Sequence, residues 1–309
     1  MPIVQLLLGA LLVCGVLLTA AWIRSLRRDP TPGRATVLDI VVGFVVNFFD
    51  TLGIGSFATT TTAFRLLGRI PDELIPGTLL VGLALPVVVQ AFIFVTIVEV
   101  NPAQMAILIG CCVASGWLGA GVVASISRRA IQLAMGGSLL AAAALMLLKM
   151  MELIPAGGTA TTLPPSAFAI AIVTSVVLGA LLTVGVGNYA PSLIVFSLLG
   201  MDPRAAFPIM MGSGAFVATV AGVRFVTRGK FDRHAALGLA AGGIPGVLVA
   251  AWFVRSLPLD ALRWVVLMAV VYSAISLLRG GSRYHRPTGH DASRDHRSAA
   301  ADGAAGTRD

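Results

Sequence analysis

The chain has 309 residues, of which 57% are hydrophobic and only 12% are charged, and its mean hydropathy is +0.92. Soluble domains carry about 25% charged residues, so the composition excludes a water-soluble protein and indicates an integral membrane protein. The net charge of +8 lies in loops and in the C-terminal tail, without an aromatic-interleaved basic patch, which argues against nucleic-acid binding.

The first apolar run covers residues 3–23 and is long enough to cross a bilayer. Because no positively charged region precedes it, we interpret it as a retained transmembrane helix rather than a signal peptide. With the basic loop that follows, it forms the first predicted segment, residues 1–35. The three cysteines lie within apolar runs and lack metal-binding spacing, so we predict neither a metal nor another cofactor.

Two later apolar stretches are interrupted in the same way. One interruption reads Thr51-Leu-Gly-Ile-Gly-Ser-Phe-Ala58 and lies between apolar runs 36–50 and 56–67. The other, 132 positions further on, reads Thr183-Val-Gly-Val-Gly-Asn-Tyr-Ala190 and lies between runs 166–184 and 189–200. At this offset ten of the 26 positions from 51 to 76 are identical. Paired glycine breaks in two halves of a membrane protein point to a transporter's substrate site.

Three uninterrupted apolar runs follow each broken stretch. We therefore predict two transmembrane repeats, residues 36–151 and 166–278, and a disordered tail, residues 279–309. The runs are 73–98, 103–126 and 130–150 in the first half, and 205–226, 235–254 and 261–278 in the second.

The basic loops predict how the repeats are oriented. Loops around Arg27, Arg128 and Arg228 and the Arg-rich tail are expected in the cytoplasm. All of these basic segments lie on the cytoplasmic side only if each broken stretch begins and ends on the same side of the membrane. It can do so as two short crossings or as a re-entrant hairpin. Each repeat then crosses an odd number of times, so the halves are inverted. The predicted fold is an all-α polytopic membrane protein with two inverted repeats, each a Gly-broken hairpin plus three spans, and an extra N-terminal span.

The glycine breaks are predicted to bind substrate. Ser56 and Asn188 follow the glycines and are favoured N-cap residues, so each break is expected to begin a half-helix within the membrane. A helix N-terminus offers free N–H groups and a partial positive charge to an anion. For a single Gly-x-Gly unit, close helix packing is the alternative. The predicted substrate-binding residues are Thr51, Gly53, Gly55, Ser56, Thr59, Thr183, Gly185, Gly187, Asn188, Tyr189 and Ser192.

Two polar side chains near the first break have open roles. Asp50 either couples transport to a proton or accepts backbone N–H bonds at the break, and its counterpart in the second repeat is Leu182. Gln90 is expected to form a structural hydrogen bond between helices.

All four histidines lie in a loop or the tail, and HExxH is absent from the sequence, so we predict no enzymatic activity. A membrane-embedded enzyme remains the less favoured alternative.

The motifs resemble the TauE/SafE family of sulfite-exporter-like transporters. The resemblance covers about residues 36–278 and rests on the first break with Asp50, on Ile75-Pro-Gly-Thr78, on Gly185-Val-Gly-Asn-Tyr-Ala-Pro191, on Leu199-Gly-Met-Asp-Pro203 and on Phe207-Pro-Ile-Met-Met-Gly-Ser213. It implies a permease of the bacterial-type plasma membrane for a small sulfur-containing anion such as sulfite or an organosulfonate.

The expected function is transport of such an anion by alternating access around two half-helix N-termini. A carrier of another small anion or an organic acid is the alternative. The expected partners are this anion and the lipid bilayer, and the C-terminal tail of the multi-pass protein is expected in the cytoplasm. Transport direction, coupling ion and oligomeric state are left open.

Overall fold

The computed structural model describes residues 2–28, 35–52, 55–68, 70–71, 74–123, 158–182 and 187–256, with single positions within 133–151 and 264–279. The predicted tail, apart from residue 279, lies outside these residues. The described helices are α1 (Pro2–Arg28), α2 (Val37–Thr51), α3 (Ser56–Leu67), α4 (Ile75–Gly82), α5 (Ala84–Ile97), α6 (Pro102–Val123), α7 (Pro165–Leu182), α8 (Tyr189–Leu198), α9 (Pro203–Arg228) and α10 (Arg233–Ser256).

The described residues contain helices and no β-strand; one isolated bridge joins Ala160 and Met201. This confirms the predicted all-α polytopic membrane fold. Five helical segments in the described part are long and apolar enough to cross a membrane: Pro2–Arg27, Ile75–Ile97, Pro165–Leu182, Pro203–Arg228 and Arg233–Phe253.

The 132-residue offset relates helices as well as motifs. Shifted by this offset, α2, α3 and α6 fall on α7, α8 and α10, and the α4–α5 pair falls on α9. The equivalence extends to the ends of the short helices, where Gly68 follows α3 with φ +57° and Gly200 follows α8 with φ +100°. Glycine adopts positive φ without the penalty that a Cβ brings, so the chain turns in the same way after each half-helix.

The α4–α5 pair and its equivalent, α9, run in opposite directions. The α4–α5 pair packs against α9, with the Leu80 carbonyl next to Gly222 and the Phe94 ring stacked on Phe207 at 5.3 Å between centroids. Residue numbers therefore rise along one helix as they fall along the other. Since these two segments occupy the same place in their repeats, their antiparallel packing is the relation that inverted repeats require.

The two halves interlock through exchanged helix pairs. Helix α2 of the first half packs along α10 of the second, and α7 of the second packs along α6 of the first. A methyl group at Gly43 would lie 2.6 Å from the Leu239 carbonyl oxygen, and one at Gly243 would lie 2.6 Å from the Asn47 amide nitrogen. Glycine at these two positions therefore permits the close approach of α2 and α10.

The predicted uninterrupted run 73–98 is divided in the structure. Helix α4 ends at Gly82 and α5 begins at Ala84, with Leu83 between them. Pro86 explains the interruption, because proline has no N–H and its ring clashes with the carbonyl four residues earlier, which is that of Gly82.

The broken stretches are unequal in length. Helix α2 has 15 residues and α3 has 12, so they rise about 22 and 18 Å and are shorter than the roughly 30 Å hydrocarbon core. Helix α3 turns back beside α2, since Thr59 and Ala63 line an apolar crevice with Val42 and Val46. These lengths favour a re-entrant hairpin in the first half. Helix α7, with 18 residues, is long enough to span.

Candidate functional site

The first half-helix begins at Ser56, and its start is held by a carboxylate. The Ser56 N–H donates to the Asp50 Oδ1 at 2.5 Å, and Gly55 precedes it with φ +81°. Ser56 is thus the first helical residue and not the predicted N-cap. Gly55 takes the position before the helix, where the positive φ favours a residue without a Cβ. Of the two roles considered for Asp50, the structure shows the backbone-accepting contact. This carboxylate supplies the negative charge that a helix N-terminus favours.

The second half-helix begins at Tyr189, after Asn188 at the N-cap position. The Asn188 side chain makes no capping hydrogen bond, so the predicted cap is wrong in its chemistry though right in its position. Its backbone angles, φ −94° and ψ −11°, lie outside the extended region that capping side chains use. The amide nitrogen instead donates to the Met210 carbonyl at 3.5 Å, and the buried Oδ1 has no hydrogen-bond partner among the described residues.

Gln90 joins the two breaks. Its Nε2 donates to the Asp50 Oδ2 at 3.0 Å and to the Thr51 Oγ1 at 2.8 Å, while its Oε1 accepts from the Tyr189 hydroxyl at 3.1 Å. All four residues are buried. The hydrogen bonds therefore connect the end of α2, the middle of α5 and the start of α8. We define Asp50, Thr51, Gln90 and Tyr189 as the bridging network.

A small cavity lies between the two breaks. Its free volume of about 10 Å³ has room for a single water molecule at most. The side chains that line it therefore leave little free space. The cavity is lined by Asp50, Gly55, Ser56, Phe57, Leu83, Val87, Leu182, Gly187, Asn188, Tyr189, Gly214 and Ala218.

The structure brings only part of the predicted binding set to this cavity. Gly55, Ser56, Gly187, Asn188 and Tyr189 line it. The predicted residues Gly53, Thr183 and Gly185 lie outside the described residues.

Three predicted hydroxyl groups are placed elsewhere. Thr51 and Ser192 are buried without lining the cavity, and the Thr51 hydroxyl donates to the Asn47 carbonyl at 2.8 Å. The Thr59 hydroxyl donates to the Ser56 carbonyl at 2.9 Å, and Thr59 lines the apolar crevice beside α2 instead. A threonine in a helix readily donates its hydroxyl proton to a carbonyl of the preceding turn.

Gly214 was not predicted to take part in the site. A methyl group at this position would lie 2.9 Å from the Cε1 of Tyr189, so the absence of a side chain leaves the space that the phenol ring occupies. The only signal in the sequence was one glycine among many in an apolar run. The polar site is also asymmetric, because the counterparts of Asp50 and Gln90 are Leu182 and Gly222.

Within the described residues, no group of three His, Cys, Asp or Glu side chains is placed to hold a metal ion. The cysteines Cys14, Cys111 and Cys112 are free thiols.

Comparison with known proteins gives one family. The model for the sulfite exporter TauE/SafE family matches residues 167–307, which begin at the third residue of α7 and extend beyond α10. Comparisons with curated proteins and with solved structures find no match. The matched region contains the second glycine break, on which the resemblance partly rested. The match therefore confirms the resemblance over residues 167–307, and the long apolar helices indicate a multi-pass membrane protein.

Proposed function

We propose that this protein moves a small sulfur-containing anion, such as sulfite or an organosulfonate, across the plasma membrane by alternating access. The observation that carries the proposal is the meeting of two broken helices from inverted halves at one small cavity. In transporters built from inverted repeats, substrates bind where discontinuous helices meet near the middle of the membrane. The family match supports transport, and the choice of a sulfur anion follows from the family's description.

The two half-helix starts have unequal parts in this proposal. The start of α3 already faces the Asp50 carboxylate, so its positive end is largely compensated. Among the described residues no such side chain faces the start of α8, and Gly187 and Asn188 lie at the cavity. Its first N–H groups have no partner within their own helix, as at every helix start. We therefore assign the anion to the N-terminus of α8.

The unpaired acceptor in the cavity favours a ligand that keeps a proton. The Asn188 Oδ1 is buried and has no hydrogen-bond partner in the described part of the chain. A buried polar atom gains free energy when it finds a donor. Hydrogensulfite carries one hydroxyl on its oxyanion, so it can donate to this oxygen while its other oxygens face the helix N-terminus.

Transport requires the small cavity to widen and to open to each side in turn. Leu83 lines the cavity and also separates α4 from α5, so a change of angle at this interruption would move one wall. Asp50 remains our proposed proton-coupling residue, because protonation would remove a negative charge beside the bound anion. Its hydrogen bonds to Ser56 and Gln90 would respond to that change.

The experiment is a substrate panel with the full-length protein in proteoliposomes. Flux of sulfite, sulfoacetate, thiosulfate and acetate is measured with and without a pH gradient. The proposal predicts flux of at least one sulfur anion in excess of acetate. Flux of acetate alone would favour the organic-acid alternative, and no flux of any sulfur anion in a folded, inserted preparation would refute the substrate class.

A matched pair of variants tests the assigned anion site. Asn188→Asp places a carboxylate at the cavity beside the start of α8, and we expect it to abolish anion flux through charge repulsion. Asn101→Asp makes the same substitution at the start of α6, where Oδ1 accepts from the Ala103 and Gln104 N–H groups. Asp is an equally good N-cap, so this control should transport normally. Equal flux in both variants would exclude the start of α8 as the anion-binding site.

A further inference from the structure

A groove separate from the candidate site runs between α6 and α9. Its basic end is lined by Trp117, Val217, Val220, Arg224, Arg228 and Lys230. A second crevice shares Val113, Trp117 and Val220 with it and continues past Ile109 and Phe216 to Leu7 of α1. Because the two spaces share these residues, they form one continuous surface, which we call the α6–α9 groove.

The basic end presents three exposed cations. Arg224 and Arg228 are four residues apart and lie on the same face of α9, and Lys230 follows the helix. The guanidinium carbon of Arg224 lies 3.9 Å from the centroid of the Trp117 ring. This stacking restrains the guanidinium group, whose planar donors fit phosphate oxygens. The end of the groove is therefore suited to a phosphate group.

The remainder of the groove is apolar and has the length of a lipid tail. From Phe216 to Arg228 the helix rises about 18 Å, and one leaflet contributes about half of the roughly 30 Å hydrocarbon core. Val220 and Val113 lie between the cations and the far end. A soluble anion would use only the basic end, whereas a phospholipid contacts both parts.

We propose that the α6–α9 groove binds an anionic phospholipid, with its phosphate at Arg224, Arg228 and Lys230 and one acyl chain along Val220 and Phe216. The basic loops place this end on the predicted cytoplasmic side, where the leaflet contains anionic lipids. Gly214 and Ala218 of the same α9 line the candidate cavity, so the lipid would pack on the helix that forms a wall of the transport site.

The test uses native mass spectrometry of the full-length protein in detergent with equal amounts of phosphatidylglycerol and phosphatidylcholine of the same chain length. We expect selective phosphatidylglycerol adducts. Each cation near anionic lipid contributes about fivefold in affinity, so Arg224→Gln with Arg228→Gln should weaken the adduct roughly 10- to 30-fold. The control, Arg24→Gln with Arg27→Gln at the end of α1, removes two cations outside the groove and should change binding less than twofold.

Two further arms distinguish a lipid site from a soluble-anion site and from a purely electrostatic surface. Inorganic phosphate at millimolar concentration should not displace the lipid, and complete displacement would indicate a soluble-anion site. Val220 lies where the two parts of the groove meet, so Val220→Trp fills the groove without altering charge and should weaken lipid binding. Val173→Trp, at a position 63% exposed on α7, should leave lipid binding unchanged. Equal adducts for the two lipids, equal loss in the charge control, or normal binding by Val220→Trp in folded protein would each overturn the proposal.

Discussion

The bridging network makes a quantitative prediction about stability. Gln90→Met keeps the side-chain volume and removes the amide, which leaves the Tyr189 hydroxyl without its acceptor and Asp50 without one donor. A hydrogen bond to a charged group contributes about 1.5–3 kcal/mol and a neutral one about 0.5–1.5 kcal/mol. Interhelical hydrogen bonds in membrane proteins average about 0.6 kcal/mol. Gln90 makes three such bonds, to Asp50, Thr51 and Tyr189, which at this average sum to about 2 kcal/mol. Because one acceptor is a carboxylate, we expect Gln90→Met to lower the free energy of unfolding by about 2–4 kcal/mol.

A double-mutant cycle isolates the bond between the repeats. Tyr189→Phe removes the hydroxyl that donates to Gln90 and should lower the free energy of unfolding by about 1 kcal/mol. The double variant should be more stable than the sum of the two effects predicts, by about 0.5–1.5 kcal/mol. The assay is reversible unfolding of the purified protein in mixed micelles by increasing the fraction of SDS.

Matched variants outside the network serve as the control cycle. Gln104 bonds to the Leu163 backbone, and Tyr272 lines the crevice beside α2. The effects of Gln104→Met and Tyr272→Phe on the free energy of unfolding should therefore be additive. A coupling energy between positions 90 and 189 within about 0.3 kcal/mol of zero would refute a direct bond between the halves.

Two other variants test the same site. Gly214→Ala should lower the free energy of unfolding by about 1–3 kcal/mol and should also lower transport, because the methyl group would collide with the Tyr189 ring. In the control Gly9→Ala the added methyl group meets no atom within 4 Å, so neither quantity should fall in the same unfolding and flux assays. Asp50→Asn keeps an oxygen to accept the Ser56 N–H but cannot take up a proton, so anion exchange should continue while the response to a pH gradient is lost. Asp202→Asn, which preserves the cap of α9, should keep that response, and an unchanged response in Asp50→Asn would exclude coupling through this carboxylate.

The sequence predicted those features of the fold that depend on local or repeated patterns. The offset between the glycine motifs located two equivalent sets of helices, and the residues after the glycines located the starts of α3 and α8 to within one position. The interruption at Leu83 was missed although its cause, Pro86, is visible in the sequence. It was overlooked because proline does not always divide a helix, as Pro208 within α9 and Pro245 within α10 show.

The site was harder to predict because its contacts join distant parts of the chain. Gln90 bonds to residues 40 and 99 positions away, and no spacing rule for a single chain connects such pairs. Thr59 was assigned to the site because it is polar, yet its own helix satisfies its hydroxyl. Conversely, the free Oδ1 of Asn188 depends on backbone angles that depart from those of a capping residue, which sequence preference could not foresee.

Transport of sulfite through the cavity between the breaks is tested most directly by counterflow in proteoliposomes, with a variant in which one cavity glycine is replaced by leucine. The nearest atom to a Cβ at Gly187 is the Phe57 Cβ at 4.0 Å, so Gly187→Leu keeps an acceptable backbone while its side chain occupies the small cavity. Gly9→Leu is the matched control on α1. Both variants are first shown to unfold like the unaltered protein. We expect labelled sulfite to accumulate with the unaltered protein and with Gly9→Leu but not with Gly187→Leu. Equal accumulation with all three proteins, or none with the unaltered protein, would contradict transport through this cavity.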